Sequence, residues 1–167
     1  AINDGSVSGN TITNSGTITA TTENSGLSIN SSDGTVVTNT GTISGVRHGM
    51  QSSNVDNSTI TNHGTISASS NSGYGLLYEN DGTNRVNNTL NNYGTISATS
   101  GSFADGIGIG RGAFAMFNIT INNYGTISGS DDSIKMLNSS NTGINIVTKG
   151  EGTYVGEINL NLSLIHI

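Results

Sequence analysis

One motif recurs along this chain, first as Ile12-Thr13-Asn14-Ser15-Gly16-Thr17-Ile18-Thr19-Ala20. It returns four more times with the same order of aliphatic, polar, Asn, variable, Gly, Thr, Ile, hydroxyl and small residues. The later copies begin at Val37, Ile60, Leu90 and Ile121. Successive motif glycines are 25, 23, 30 and 31 residues apart. A constant motif separated by inserts of variable length predicts a solenoid whose coils share a core and differ in their loops.

Apolar and polar residues alternate within each copy, which is typical of β-strands. In the first copy the alternation places Ile12, Asn14 and Ile18 on one face of a bent strand pair, and the glycine supplies the bend. A second apolar element follows each copy after a polar loop. These elements are Gly26–Ile29, Gly45–Val46, Gly75–Tyr78, Gly106–Ile109 and Ser133–Met136. At about 3.3 Å per residue, each period suits one coil of three short strands with loops.

The sequence therefore predicts an all-β fold, a parallel β-helix of five to six coils. Because successive coils lie about 4.8 Å apart, equivalent residues of neighbouring coils become neighbours in space. The predicted interior contains an isoleucine stack, and an asparagine ladder whose amides pair with one another and with backbone groups at the bend. The stack is Ile18, Ile43, Ile66, Ile96 and Ile127; the ladder is Asn14, Asn39, Asn62, Asn92 and Asn123; the bend glycines are Gly16, Gly41, Gly64, Gly94 and Gly125.

Composition and charge exclude several classes of protein. Gly, Ser, Thr and Asn supply more than half of the 167 residues, yet only 10% are charged and none is proline, whereas disordered segments combine high charge with proline. A net charge of −6 with five Lys and Arg residues gives no basic stripe, so we expect no nucleic-acid partner. The absence of cysteine excludes disulfides and zinc–thiolate sites.

The recurring motif resembles the passenger domains of bacterial autotransporters, which use type V secretion, and the similar stems of large β-helical adhesins. The five copies cover residues 12–129, and a degenerate sixth copy runs from Val147 to Gly156. The resemblance implies a right-handed, single-stranded parallel β-helix that a C-terminal β-barrel exports through the outer membrane. It also implies a location at the bacterial outer membrane or cell surface, or secretion, with membrane contact only through such a barrel.

The two ends of the chain have their own expectations. The chain begins with Ala1 rather than Met and reads as an internal fragment, so we expect residues 1–161 to be a passenger fragment. Residues 162–167 break the repeat and resemble the translated adapter tail at the ends of metagenomic gene fragments. We expect this tail to be non-native.

The predicted function is structural display and adhesion at the bacterial surface. Polar faces and variable inserts offer many weak contacts to cell-surface glycans or proteins, or to a second copy of the chain, and multivalency strengthens them. Candidate recognition residues are the column His63, Tyr93 and Tyr124, the insert aromatics Tyr74 and Tyr78, and the acidic pair Asp131 and Asp132. Other charged insert residues, Arg47, His48, Glu79, Asp81 and Arg85, are expected to be surface groups.

No catalytic residue, cofactor or metal site is predicted. The chain has no G-x-S-x-G elbow and no histidine in a recognisable catalytic motif. The acidic run from Gly129 to Ile134 lacks the calcium-binding nonapeptide pattern, and we expect it to be a solvated loop.

Two alternatives stay open. A β-helical carbohydrate-active enzyme, a polysaccharide lyase or hydrolase, would use Asp131 and Asp132 as its paired carboxylates. A groove with three or more carboxylates and a basic residue favours this enzyme, whereas a groove lined only by Thr, Asn and Ser favours adhesion. The other alternative is a passive stalk for an effector that lies outside this sequence.

Overall fold

The computed structural model describes residues 2–5, 7–80, 82 and 85–160, and the predicted tail, residues 162–167, lies outside them. The described residues form strands, turns and bends and contain no helix. The strands in chain order are β1 (Ile2–Gly5), β2 (Thr11–Asn14), β3 (Thr17–Thr19), β4 (Ser25–Asn30), β5 (Val36–Asn39), β6 (Thr42–Gly45), β7 (His48–Ser53), β8 (Thr59–Asn62), β9 (Thr65–Ala68), β10 (Tyr74–Glu79), β11 (Arg85–Val86), β12 (Thr89–Asn92), β13 (Thr95–Ala98), β14 (Asp105–Arg111), β15 (Met116–Phe117), β16 (Thr120–Asn123), β17 (Thr126–Met136), β18 (Asn145–Thr148) and β19 (Thr153–Asn159).

The strands form three faces of a solenoid, and their pairings are parallel. Face 1 consists of β2, β5, β8, β12, β16 and β18; face 2 of β3, β6, β9, β13 and the start of β17; face 3 of β1, β4, β7, β10, β14 and the end of β17. The long strand β17 crosses from face 2 to face 3, and β19 pairs with it along both. The six strands of face 1 represent six coils, so the predicted all-β parallel β-helix is confirmed.

The repeated motif sets the register between coils. On face 1, Asn62 pairs with Asn39 on one side and Asn92 on the other. On face 2, Ile66 lies between Ile43 and Ile96 in the same way. The core is one continuous cluster of stacked aliphatic side chains, and it is flanked in the first coil by partly buried Ile12 and Ile18. Its best-buried members include Leu27, Val37, Ile43, Met50, Ile60, Ile66, Leu76, Leu90, Ile96, Ile107, Ile121, Ile127 and Ile134.

The motif asparagines form a buried, hydrogen-bonded ladder beside the bend. Each Nδ2 donates to the Oδ1 of the next coil's asparagine, at 2.8 Å from Asn14 to Asn39 and from Asn62 to Asn92. Each of these amides also donates to the carbonyl of the bend glycine two residues later and to a threonine carbonyl of the next coil. Asn123 ends the ladder by donating to the Thr153 carbonyl at 3.0 Å. The bend glycine carbonyls also accept a backbone N–H from the next coil, for example Gly41 from Thr65 at 2.9 Å, so each amide adds a second donor to an acceptor with two lone pairs.

A second asparagine ladder, absent from the sequence predictions, lies outside the core at the corner before face 1. Asn57, Asn87 and Asn118 have φ angles of 53°, 59° and 54°. This left-handed conformation is one that Asn adopts more readily than most residues. Asn87 donates to Asn57 at 3.2 Å, and Asn118 donates to Asn87 at 3.3 Å. The corner residues thus stack like the core motif.

One predicted strand is wrong. In the second coil the face 3 strand is β7, not the segment Gly45–Val46, and Met50 occupies the core position between Leu27 and Leu76. Gly45 instead ends β6 at a corner where an added Cβ would lie 1.9 Å from the His48 carbonyl oxygen. The alternation did not reveal β7, because Met50 is the only large apolar residue in it.

Tyr78 lies in the core and not at the recognition surface where the sequence predicted it. Its side chain is 1% exposed and stacks between Ser52 and Ile109. Burial raises the pKa of its phenol, and the hydroxyl has no hydrogen-bond partner among the described residues. The physical reason is strand alternation, since residues 76 and 78 of β10 both point inward, and the small side chain of Ser52 leaves room for the ring.

Candidate functional site

The three aromatic residues of the predicted column stack beside the bend. The rings of His63 and Tyr93 are 4.6 Å apart with planes 5° apart, and those of Tyr93 and Tyr124 are 4.5 Å apart with planes 12° apart. Tyr93 and Tyr124 are 45% and 37% exposed. Because neighbouring rings cover both faces of Tyr93, the column offers ring edges and hydroxyls to a partner rather than a free face for sugar stacking.

Face 2 carries a shallow groove of small and hydroxyl residues. It has a volume of about 240 Å³ and runs across three coils where the strands of face 2 end. Thr19 and Ser44 share a hydrogen bond of 3.1 Å between their hydroxyls. The lining is Thr19, Ala20, Ser44, Gly45, Ser67, Ala68 and Ser69. Four of the seven lining residues carry hydroxyl groups, the other three are Ala or Gly, and none is charged.

Face 3 carries a charged cluster of three carboxylates around one ammonium group. Lys135 Nζ lies 2.6 Å from Asp131 Oδ2, 3.1 Å from Asp132 Oδ2 and 3.6 Å from Asp105 Oδ1. The Asp132 N–H also donates to Asp105 Oδ1 at 3.1 Å. The side chains of Asp105 and Asp132 are only 2% and 6% exposed, so the cluster is largely internal. The sequence missed Asp105, which lies more than 20 residues before the acidic pair and joins it only through the register of β14 and β17.

The expected solvated loop at the acidic pair is wrong, because Asp131 and Asp132 lie within strand β17. Asp131 is half-buried and reaches solvent, whereas Asp132 is buried. Asp132 pairs with Glu157 of β19, and the register shifts on both sides of it, so the acidic pair lies in an irregular but paired stretch of strand.

Burial and the contacts with opposite charges shift the pKa values of Asp105 and Lys135 in opposite directions. Burial raises the pKa of Asp105, and the hydrogen bond from the Asp132 N–H and the charge of Lys135 partly offset this. Burial disfavours the charged form of Lys135, but its hydrogen bonds to Asp131 and Asp132 and the charge of Asp105 outweigh burial and raise the pKa of Lys135. Oxygens of the three carboxylates lie within 4.8 Å of one another, close enough to share a cation. The Lys135 ammonium supplies that positive charge.

Lys135→Met tests how much the ammonium stabilises this cluster. We expect the free energy of unfolding to fall by about 2 kcal/mol at neutral pH, because two buried carboxylates lose their counter-charge. The loss should shrink in acid as the carboxylates become protonated. Urea titrations at neutral and acidic pH measure both effects, with exposed Lys149→Met as the matched control. Equal losses in the two variants would contradict this account.

A cavity lies beside the charged cluster on the outer side of face 3. It has a volume of about 460 Å³, within the usual range of ligand pockets. Arg47 comes from the turn before β7, and Tyr74 and Arg111 come from opposite ends of β10 and β14. The lining is Glu23, Arg47, Ser70, Ser72, Tyr74, Arg111, Gly112 and Leu137.

A β-bulge directs Arg111 to this outer surface. Tyr78 pairs with Ile109, but Glu79 pairs with Arg111, so Gly110 is an extra residue in β14. Its φ of 79° lies in the left-handed region that favours glycine. Without the bulge, alternation would turn Arg111 inward beside Ile109. Arg111 Nε instead lies 3.7 Å from Glu79 Oε1, and Glu79 also accepts hydrogen bonds from Gln51 and Ser53.

Tyr74 lines the cavity, and the buried ring of His48 lies beside it. Their rings are 5.3 Å apart, and the Tyr74 N–H donates to His48 Nδ1 at 3.3 Å. The Tyr74 ring lies over Gly108, where an added Cβ would approach two ring carbons to 2.6 Å. His48 is fully buried, so its expected place among the surface groups is wrong. Among the other predicted surface groups, Asp81 lies outside the described residues.

His48 is expected to make the protein less stable in mild acid. Burial, and then the charges of Arg47 and Arg111, lower the pKa of His48 from 6.5 to about 3. Between these pH values the unfolded chain binds more protons than the folded chain, so stability falls as the pH decreases from about 6.5 toward 3, by about 1 kcal/mol per pH unit. His48→Asn, which keeps an acceptor for Tyr74, should flatten this slope in pH-dependent urea titrations. The exposed control His63→Asn should retain it, and a retained slope in His48→Asn would refute the assignment.

Comparisons with known proteins add no family assignment to the fold described above. No protein-family model, no curated protein and no solved structure matches this chain. Among the described residues there is also no helix of the length and apolar character needed to cross a membrane. Because a fold alone hosts many activities, function depends on the side chains of the face 2 groove, the face 3 cavity and the aromatic column.

Proposed function

We propose that this chain is a β-helical stem segment of an autotransporter-like surface or secreted protein, and that it acts in adhesion or self-association. The observation that carries the proposal is the hydroxyl-lined groove of face 2, which is built from equivalent residues of successive coils. Such a surface repeats the same donors and acceptors at a spacing of about 4.8 Å. Repeated weak contacts to glycans, to protein surfaces or to a second copy then add through multivalency.

The family part of the proposal rests on the motif together with the fold. The motif resembles that of autotransporter passengers, and six coils stacked in register are the architecture that the resemblance implies. Location at the bacterial outer membrane or cell surface, or secretion, follows from the same resemblance. The aromatic column supports recognition beside the bend through its two exposed tyrosine side chains.

A carbohydrate-active enzyme is the second candidate, and a specific observation favours it. Asp105, Asp131 and Asp132 surround Lys135 on face 3, which is the combination of three carboxylates and a basic residue expected of such an enzyme. Glycosidases, however, need two carboxyl groups that both reach the glycosidic bond. Here two of the three are buried and all three lie near one ammonium group, so the cluster is better suited to stabilising the coil than to hydrolysis.

Adherence and turnover are measured side by side to test the proposal. Beads that carry the chain are assayed on mucin-coated glass, and the free chain is examined for concentration-dependent oligomers by sedimentation. We expect adherence or oligomers that decrease severalfold in Ser67→Arg, which fills the face 2 groove, and remain unchanged in Ser140→Arg at an exposed turn. If the chain releases reducing or unsaturated sugar ends and Asp131→Asn abolishes that release, the chain is a carbohydrate-active enzyme and not an adhesin. A chain that neither adheres nor self-associates would be the passive stalk.

A further inference from the structure

We infer that the cavity on face 3 is a subsite for a sugar that carries a carboxylate group, bound by Arg47 and Arg111. The inference rests on the proposed function in one respect, namely that the partner is a glycan. It differs in location, since the cavity lies on face 3 and the hydroxyl-lined groove on face 2.

The first observation is the state of the two arginines. Arg47 is exposed and makes no ion pair with any described residue. Arg111 has Glu79 as its partner, but the ion pair is long, at 3.7 Å, and 41% of the Arg111 side chain is exposed. Two guanidinium groups with unused donors therefore border one cavity. The planar fork of each matches a carboxylate, which it binds through two parallel hydrogen bonds.

The second observation is the local charge. The chain as a whole has a net charge of −6, yet the cavity lining contains two arginines and a single carboxylate, that of Glu23. The three aspartates nearby are drawn toward Lys135 and are mostly buried. The lining itself thus carries a net charge of +1 on an acidic molecule. Glu79 beside Arg111 and the Lys135 cluster add negative charge nearby, so the preference for an anion comes from direct contact with the two guanidinium groups.

The third observation is the mixture of apolar and hydroxyl groups beside the arginines. Tyr74 and Leu137 supply a small apolar surface, and Ser70 and Ser72 supply hydroxyls. A pyranose ring has an apolar C–H side and a rim of hydroxyls, so a uronate ring presents complementary groups to all parts of the lining. The bulge at Gly110, which turns Arg111 outward, is the structural device that completes the site.

Oligogalacturonate and its methyl ester are the probes that test this inference, because esterification removes the charge from the same sugar chain. In calorimetric titrations of the full chain at low salt, we expect oligogalacturonate to bind about tenfold or more tightly than the ester. Arg47→Ala should weaken oligogalacturonate binding about tenfold, Arg47→Lys should weaken it less because it keeps the charge, and Lys149→Ala should not change it. Unchanged circular dichroism spectra establish that each variant is folded.

Three outcomes would overturn the inference: equal binding of the ester, unchanged binding in a doubly substituted Arg47→Ala, Arg111→Ala chain, or tighter binding of dextran sulfate than of oligogalacturonate. Its failure is distinguishable from that of the proposed function. Adherence that Ser67→Arg reduces, without oligogalacturonate binding, would overturn only the face 3 subsite. Oligogalacturonate binding without adherence or oligomers would overturn only the face 2 proposal.

Discussion

Gly64→Ala is expected to lower the free energy of unfolding by about 3 kcal/mol or more, or to prevent folding of the central coils. A Cβ at Gly64 would lie 2.0 Å from the Gly41 carbonyl oxygen and 2.8 Å from the Thr40 carbonyl carbon. Both neighbours are backbone atoms, which cannot rotate away as a side chain can. The coils would have to separate, and separation would also lengthen the hydrogen bonds of the asparagine ladder.

Gly16→Ala is the matched control, because Gly16 occupies the same motif position in the first coil and an added Cβ meets nothing within 4 Å. Its stability should stay within about 0.5 kcal/mol of the wild type. Urea titrations followed by circular dichroism compare the two variants directly. If both lose the same stability, the glycine serves the conformation of the bend in each coil rather than the close approach between coils.

The stacked faces could be predicted from the sequence because their information is local and repeated. Each copy carries its own aliphatic residue, Asn, Gly and Ile, and a parallel solenoid brings equal motif positions together once the strands are recognised. Pairings such as Asn62 with Asn92, and Ile66 with Ile96, follow from that rule. The handedness and the family came from the resemblance alone and remain predictions.

Face 3 could not be predicted in the same way, because its outer residues differ from coil to coil. His48, Tyr74 and Asp105 occupy equivalent register positions, yet nothing in their chemistry marks them as equivalent. The direction of Arg111 depends on one extra glycine in β14, and the burial of Tyr78 depends on the small neighbour Ser52. These are properties of paired strands and not of any one segment.

The contrast between the faces has a functional consequence. Faces 1 and 2 repeat one set of side chains, so they can hold the rod together and offer many equal weak contacts, but they cannot build a site that needs several different groups. Face 3 combines guanidinium, phenol, hydroxyl and carboxylate groups within a few coils. Specific recognition is therefore expected on the face where the repeat is least regular.

Asn62→Asp is expected to lower the free energy of unfolding by about 4 kcal/mol at neutral pH, although it replaces only the side-chain NH2 group with an oxygen. Asn62 is fully buried, and its Nδ2 donates to Asn92 Oδ1, to the Gly64 carbonyl and to the Thr95 carbonyl. In Asn62→Asp the oxygen that replaces Nδ2 would face three acceptors and could donate to none, and the other oxygen would keep only the donor from Asn39. A buried charge without a counter-charge costs several kcal/mol. Burial and these acceptors would raise the pKa of the new carboxyl group above its value in the unfolded chain, about 3.9.

The sign of the pH dependence separates this charge effect from a loss of shape. Well below pH 4 the carboxyl group is protonated in both states, so the charge no longer contributes and only the smaller cost of one lost donor remains. As the pH rises, the unfolded chain ionises first, and the difference should grow by about 1 kcal/mol per pH unit until the folded group ionises. Asn30→Asp, at an exposed residue whose Oδ1 accepts from Ser31, should show no such growth. A loss in Asn62→Asp that is equally large well below pH 4 and at neutral pH would refute the charge effect. The whole loss would then belong to the missing donor and to altered geometry.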